Sequence, residues 1–128
     1  MIYSTYTEIA DTIFKRVDMK CRLEKRPKKY MFGTNNYGEV VDTINPADGD
    51  PWDIIVPGYS PLDTDMEYTI RSLEGVIIMP NGNHKLIVDV ITDNIRSSFN
   101  NCESEVYKYR RLYNRICKKR GDVILYRT

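Results

Sequence analysis

The chain of 128 residues contains one histidine and three cysteines, and no two cysteines form a CxxC pair. A structural zinc site almost always takes four Cys or His ligands, and Cys21, Cys102, Cys117 and the lone His84 offer no such set at a zinc-binding spacing. An odd cysteine count gives no disulfide framework either, so reduced cysteines in a cytosolic interior are expected. Long apolar runs are missing, and none approaches the ~20 residues that a membrane helix needs. The first segment, MIYSTYTEIADTIFKR, carries Glu8 and Asp11 and is not expected to act as a secretory signal. No charge of one sign dominates. Nineteen Lys and Arg against eighteen Asp and Glu leave a net charge of +1, so no overall field points to nucleic acid or to a membrane surface. Internal repeats, low-complexity segments and composition breaks are absent too. One domain over residues 1–128 and a cytoplasmic location are the expectation.

What is present suits a globular class: 41% hydrophobic and 29% charged residues can build one core with a solvated surface. Ten tyrosines can serve as core, interface or polar site groups, because each has an apolar ring and a hydroxyl tip. Val17, Met19, Cys21 and Leu23 alternate with polar residues, which predicts a half-buried strand. EKRPKKYMFGTNNYG follows and reads as turn chemistry. EVVDTI and DIIVPGY are short β-rich runs on either side of an acidic loop, and EYTIRSLEGVIIMP predicts one or two strands. NGN before HKLIVDVIT signals a hairpin. From Asp93 the period changes. Ile95, Phe99, Cys102, Val106, Tyr109, Tyr113 and Ile116 form one apolar stripe, which predicts a helix from about 94 to 119. Lys118, Lys119, Arg120 and Gly121 suit its C-terminus, and DVILYR predicts a last strand. The sum is mainly β with α: a small α+β barrel with a long C-terminal helix packed on it.

The acidic loop, NPADGDPWDIIVPGY, raises a chemical question. Asp48, Asp50 and Asp53 crowd three like charges beside a core-like run, and such carboxylates repel unless something positive lies between them. Hard oxygen ligands in a cluster suit Mg²⁺, Mn²⁺ or Ca²⁺. The same residues also suit an Asx-rich surface turn whose carboxylates cap backbone NH groups. The loop is not an EF-hand, because Trp52 stands where a third oxygen ligand is required. KRPKK (25–29) and CKKR (117–120) read as solvated faces, whereas Lys20 and Lys85 fall within strands and can point into a barrel mouth. A metal held by carboxylates with Lys and Tyr around it is what a phosphate substrate requires. His84 beside Lys85 can serve as a ligand or an acid, but a lone His near a turn is more often a surface residue.

The run YG…DGDPWDIIVP resembles the soluble family I inorganic pyrophosphatases, whose hallmark is a D-G-D-P-apolar-D loop preceded by a Tyr-Gly. GYSPLDTDMEYTIRSLEGVIIM and HKLIV continue the resemblance, which covers about residues 36–90 and, more weakly, 17–25 and 105–127. It implies an OB-like five-stranded barrel and Mg²⁺-dependent hydrolysis of pyrophosphate to two phosphates by metal-activated water, with Mn²⁺ as a substitute. It further implies that Asp48, Asp50 and Asp53 are metal ligands, with Asp50 also the catalytic group that orients or deprotonates the water. Lys20, Tyr37, Lys85 and Tyr113 would contact substrate, with Tyr107-Lys108 as a second register for the late tyrosine.

Several positions depart from the family pattern. Asn81 and Asn83 stand in a shortened hairpin where Asp is expected, Arg22 replaces a Glu, and Asn114 replaces the Lys that follows the late Tyr. Lost carboxylates weaken a multi-metal site. The leading expectation is an inorganic diphosphatase. Its rival is a pyrophosphatase-fold protein without turnover that serves as a binding or structural subunit, either as a homo-oligomer or in a larger assembly. A nucleic-acid-binding OB-like module is a third reading, opposed by the neutral net charge and the three aspartates.

Overall fold

The computed structural model describes residues 8–11, 18–24, 36–117 and 123–126. Among the described residues six strands and a long helix follow in order: β1 (Lys20–Leu23), β2 (Asn36–Val40), β3 (Asp53–Val56), β4 (Glu67–Ile78), β5 (Lys85–Val90), α1 (Phe99–Cys117) and β6 (Val123–Tyr126). Residues 8–11 form a helical turn.

Five strands close on themselves. β1 pairs with β2, β2 with β3, β3 with β5, β5 with β4, and β4 returns to β1. All these pairings are antiparallel except β3–β5, which is parallel. The result is a closed, OB-like five-stranded barrel with the helix after it, mainly β with some α; the sequence pattern leads one to expect a small barrel with a late helix, and the five-stranded OB-like form is what the pyrophosphatase resemblance implies. β6 adds to the far half of β4, so β4 serves β1 through Glu67–Thr69 and β6 through Gly75–Ile78.

One long strand can do both because it is bent. The segment that reads as one or two strands is a single strand of 12 residues with register shifts at Ile70/Ser72 and Leu73/Gly75. Such irregularities raise local twist and let a strand turn a barrel corner. At the β1–β2 seam the backbones come close. A Cβ on Gly38 would lie 2.0 Å from the Arg22 carbonyl oxygen, so glycine is the residue that fits. β2 therefore begins at Asn36, inside the segment read as turn, and ends at Val40, whereas EVVDTI continues into the loop. Pairing across β1 and β3 outweighs the turn signal of Asn35-Asn36.

Alternation along each strand separates two apolar clusters. Cys21, Leu23, Val40, Ile54, Val56, Val76, Leu86, Val88 and Val90 point into the barrel. Tyr37, Ile55, Ile77, Met79 and Ile87 point outward, where Val106 and Tyr109 of α1 cover them. β5 is consequently buried along its whole length. Burial of one such Ile or Leu contributes about 1.5–3 kcal/mol, and this second layer fixes the helix on the barrel.

The helix starts at Phe99, about one turn later than its apolar period predicts, and Ile95 is 93% exposed in the irregular segment before it. Cys102, Val106, Tyr109 and Leu112 are buried and Tyr113 half-buried. The side chains of Phe99 and Ile116, and the basic segments 25–29 and 118–120 with Gly121, lie outside the described residues.

Candidate functional site

Lys85 is the first residue of β5, and its side chain is on the outer, helix-facing side of the barrel with Ile87. It is 1% exposed. A buried ammonium is costly unless it is paired, and three elements answer it. The parallel β3–β5 register sets Asp53 opposite Lys85, and Nζ donates to Asp53 Oδ2 at 2.5 Å. Tyr37 of β2 accepts a second hydrogen bond from Nζ at 3.2 Å. Tyr113 of α1 covers the amine, with Nζ 4.8 Å from its ring centroid.

Tyr109 completes this wall. It stacks on Tyr37 at 5.8 Å and on Tyr113 at 6.0 Å between ring centroids, so three tyrosines form one continuous stack. Tyr109 is absent from the set that the sequence picks out as site residues. Its place in the helix stripe marks it as core, and only the packing of α1 on β2 turns it towards Tyr37. The alternative register for the late tyrosine finds no support in this geometry: Tyr107 is 40% exposed, with Arg110 over its ring.

The acidic loop adjoins this cluster through Trp52, next to Asp53. Asp48 and Asp50 are exposed, and the Asp48 carboxylate accepts the NH of Asp50 at 3.0 Å, as an Asx turn does. Gly49 takes a positive φ of 76° to make that turn. Among the described residues neither Asp48 nor Asp50 makes an ion pair. The loop leans on the β4–β5 hairpin at two points. Asn45 Nδ2 donates to the Gly82 carbonyl at 3.1 Å, and the Trp52 and His84 rings stack at 6.4 Å. His84 is therefore more than a surface residue. Its Nδ1 accepts the NH of Met79 at 3.0 Å, and burial, with the Lys85 charge second, holds its pKa below the usual 6.5.

The hairpin carries the two asparagines that depart from the family pattern. Asn81 Oδ1 accepts the NH of Asn83, while Asn83 Oδ1 is buried without a hydrogen-bond partner among the described residues. The donors on loop and hairpin are all hard oxygens: the carboxylates of Asp48 and Asp50 and the amide oxygen of Asn83. They fit Mg²⁺ or Mn²⁺ in kind. Among the described residues no three His, Cys, Asp or Glu side chains converge on a point that could hold an ion, and Asp53 is engaged by Lys85.

Lys20 is exposed on β1, opposite Thr69 of β4. Its carbonyl accepts the NH of Val41, which places it at the foot of the acidic loop. Of the seven residues singled out from the sequence, Tyr37, Asp53, Lys85 and Tyr113 thus meet in one cluster. Asp48 and Asp50 stand on the adjoining loop, and Lys20 stands apart. The cluster lies between barrel and helix, outside the barrel interior, which is filled with apolar side chains. A separate cleft of about 530 Å³ near the start of α1, lined by Gly58, Ser60, Arg96, Ser97, Ser104 and Lys108, shares no residue with it. Among the described residues no helix is long and apolar enough to cross a membrane.

Compared with protein-family models, with curated proteins and with solved structures, the chain finds no match.

Proposed function

We propose that the protein is a divergent inorganic diphosphatase that hydrolyses pyrophosphate to two phosphates with Mg²⁺, or Mn²⁺, in the cytoplasm. One observation carries this reading: Tyr37, Asp53, Lys85 and Tyr113 come from four separate elements, and they meet around one buried ammonium. Residues that the pyrophosphatase resemblance selects by sequence alone need not have met at all.

In this reading Asp48 and Asp50, with the Asn83 amide oxygen on the hairpin, would hold the ion. A bound Mg²⁺ supplies neutralisation of phosphoryl charge and acidification of a water. The chain's own groups do the rest. Asp50 accepts the proton of the attacking water, whose oxygen bonds to one phosphorus as the bridging P–O bond breaks. Lys85 provides a fixed cation for a phosphoryl group, kept in place by Asp53. The hydroxyls of Tyr37 and Tyr113 orient the substrate from the β2 and α1 sides. The test is phosphate release from pyrophosphate. The expected result is Mg²⁺-dependent release that Asp50→Asn abolishes; no release above background with folded protein in Mg²⁺, Mn²⁺ or Zn²⁺ would sink the reading.

A second reading has its own observation. Lys85 is covered by Tyr113 and tied to Asp53, and Asn81 and Asn83 stand on the hairpin where the resemblance leads one to expect carboxylates. That arrangement suits a pyrophosphatase-fold protein without turnover, acting as a homo-oligomer or as a subunit of a larger assembly. It predicts a folded, inactive protein that elutes in a large complex on gel filtration from native extract. An active, freely diffusing protein would rule it out.

A further inference from the structure

The loop that carries Asp48 and Asp50 is exposed from Pro46 to Asp50, yet Asn45 at its base is 1% exposed. Asn45 makes five hydrogen bonds. Its NH donates to the Asp50 carbonyl at 2.7 Å, and its carbonyl accepts the NH of Asp48 at 3.3 Å and of Gly49 at 2.8 Å. Its side-chain oxygen accepts the NH of Ala47 at 3.0 Å, and its side-chain nitrogen donates to the Gly82 carbonyl at 3.1 Å. Four of these bonds shape the loop. The fifth leaves it and reaches the hairpin tip between Asn81 and Asn83.

The far side of this contact is just as specific. Gly82 has a φ of +81°, and a Cβ there would lie 2.9 Å from Ala47 Cβ. A side chain at 82 would push the loop off. The hairpin is itself held by Gly82 NH to Met79 O at 3.1 Å and by Met79 NH to His84 Nδ1 at 3.0 Å. A displacement of the loop is therefore carried to Asn83, which bears the orphaned amide oxygen, and to His84, next to Lys85.

We infer that Asn45 is a positioning residue: it clasps the acidic loop to the β4–β5 hairpin, so that the oxygen donors of both segments are held as one rigid set. Its part in cation binding rests on the diphosphatase reading; the clasp itself does not. Asn45 touches no reacting atom, and none of these five hydrogen bonds reaches Lys85.

Asn45→Asp separates the two halves of the clasp. It keeps an acceptor for the Ala47 NH and loses the donor to Gly82. Gly82→Ala crowds Ala47 from the hairpin side, adds backbone strain at a φ of +81°, and leaves Asn45 intact. Amide hydrogen exchange is the direct measurement. Loss of one such hydrogen bond corresponds to about tenfold faster exchange. The expected result is that increase at residues 47–50 and at 82–84 together, in each variant, with Ile55 and Ile87 unchanged. The double variant is expected to exchange more slowly than the product of the two single effects, because the Asn45–Gly82 contact can be lost only once. Exchange that rises in the loop alone, or rates that multiply in the double variant, would overturn the clasp.

Mn²⁺ titration followed by proton relaxation gives the functional arm. About tenfold weaker binding in both variants is expected, with phosphate release restored at saturating Mg²⁺. Unchanged affinity with accelerated exchange would overturn the positioning role. A wild-type protein that binds no Mn²⁺ and releases no phosphate would instead remove the diphosphatase reading, and the exchange data would still decide the clasp.

Discussion

The Lys85–Asp53 pair is unequal, and the inequality predicts a measurable asymmetry. The Lys85 side chain is 2% exposed and that of Asp53 22%. Asp53→Asn leaves a buried ammonium without its carboxylate, which costs about 3–5 kcal/mol. Lys85→Met leaves a carboxylate that solvent already reaches and that can rehydrate, so a smaller loss of about 1–3 kcal/mol is expected. Urea unfolding of both variants checks the order, and a larger loss for Lys85→Met would contradict the burial argument. His84 supplies a pH effect. Its pKa is lowered in the folded state by burial and then by the Lys85 charge, so protonation favours the unfolded chain. Stability is fully present above the unfolded value of 6.5 and is lost as pH falls from there through the folded pKa. Thermal melts between pH 7.5 and about 5 are expected to lose this component in His84→Asn. Because the chain has one histidine, a single ring resonance reports the titration. The three aspartates and Lys85 are legible by residue type and spacing, and Tyr37 only through the pyrophosphatase resemblance. Asn45 and Tyr109 are not, because one resembles any loop asparagine and the other any apolar helix position.

At the scale of elements, the barrel closes where backbones approach most tightly. Gly38 lies against the Arg22 carbonyl, and the neighbour is main chain, which cannot rotate away. Gly38→Ala is expected to cost about 3 kcal/mol, the upper end for overpacking. Calorimetry measures the cost, and amide exchange should place it in β1 and β2. A loss below about 0.5 kcal/mol would show that the seam yields. Strand types came through well in the sequence because alternation is a local property. β2 begins earlier than expected because its first residues, Asn36 and Tyr37, lie in a stretch whose sequence carries turn signals, and pairing with Val56 and Ile55 makes them extended. The helix begins later than its apolar period predicts for a similar reason. Ile95 continues the apolar period but meets no core, and Ser97 NH is spent on the Gly58 carbonyl instead.

At the scale of the whole molecule, the candidate site exists only because α1 docks on the barrel's outer face. Val106 is 1% exposed at the centre of that contact. Val106→Asp buries a charge without a counterion there, and a loss above about 3 kcal/mol is expected. The variant should also bind the dye ANS through the uncovered Ile55, Ile77 and Ile87 face. Retention of stability and of the Tyr37–Tyr113 wall would show that the helix is not what holds the cluster. The sequence by itself determined the chemistry on offer and most of the strands and helix, since residue type and period are written locally. The tertiary structure alone decided that β3 and β5 run parallel with Asp53 opposite Lys85. It likewise decided that Tyr109 joins two other rings, and that DGDPWD is a turn pinned by a buried asparagine to the hairpin across from it. Those outcomes depend on register and packing between segments far apart in the chain, which no local pattern encodes.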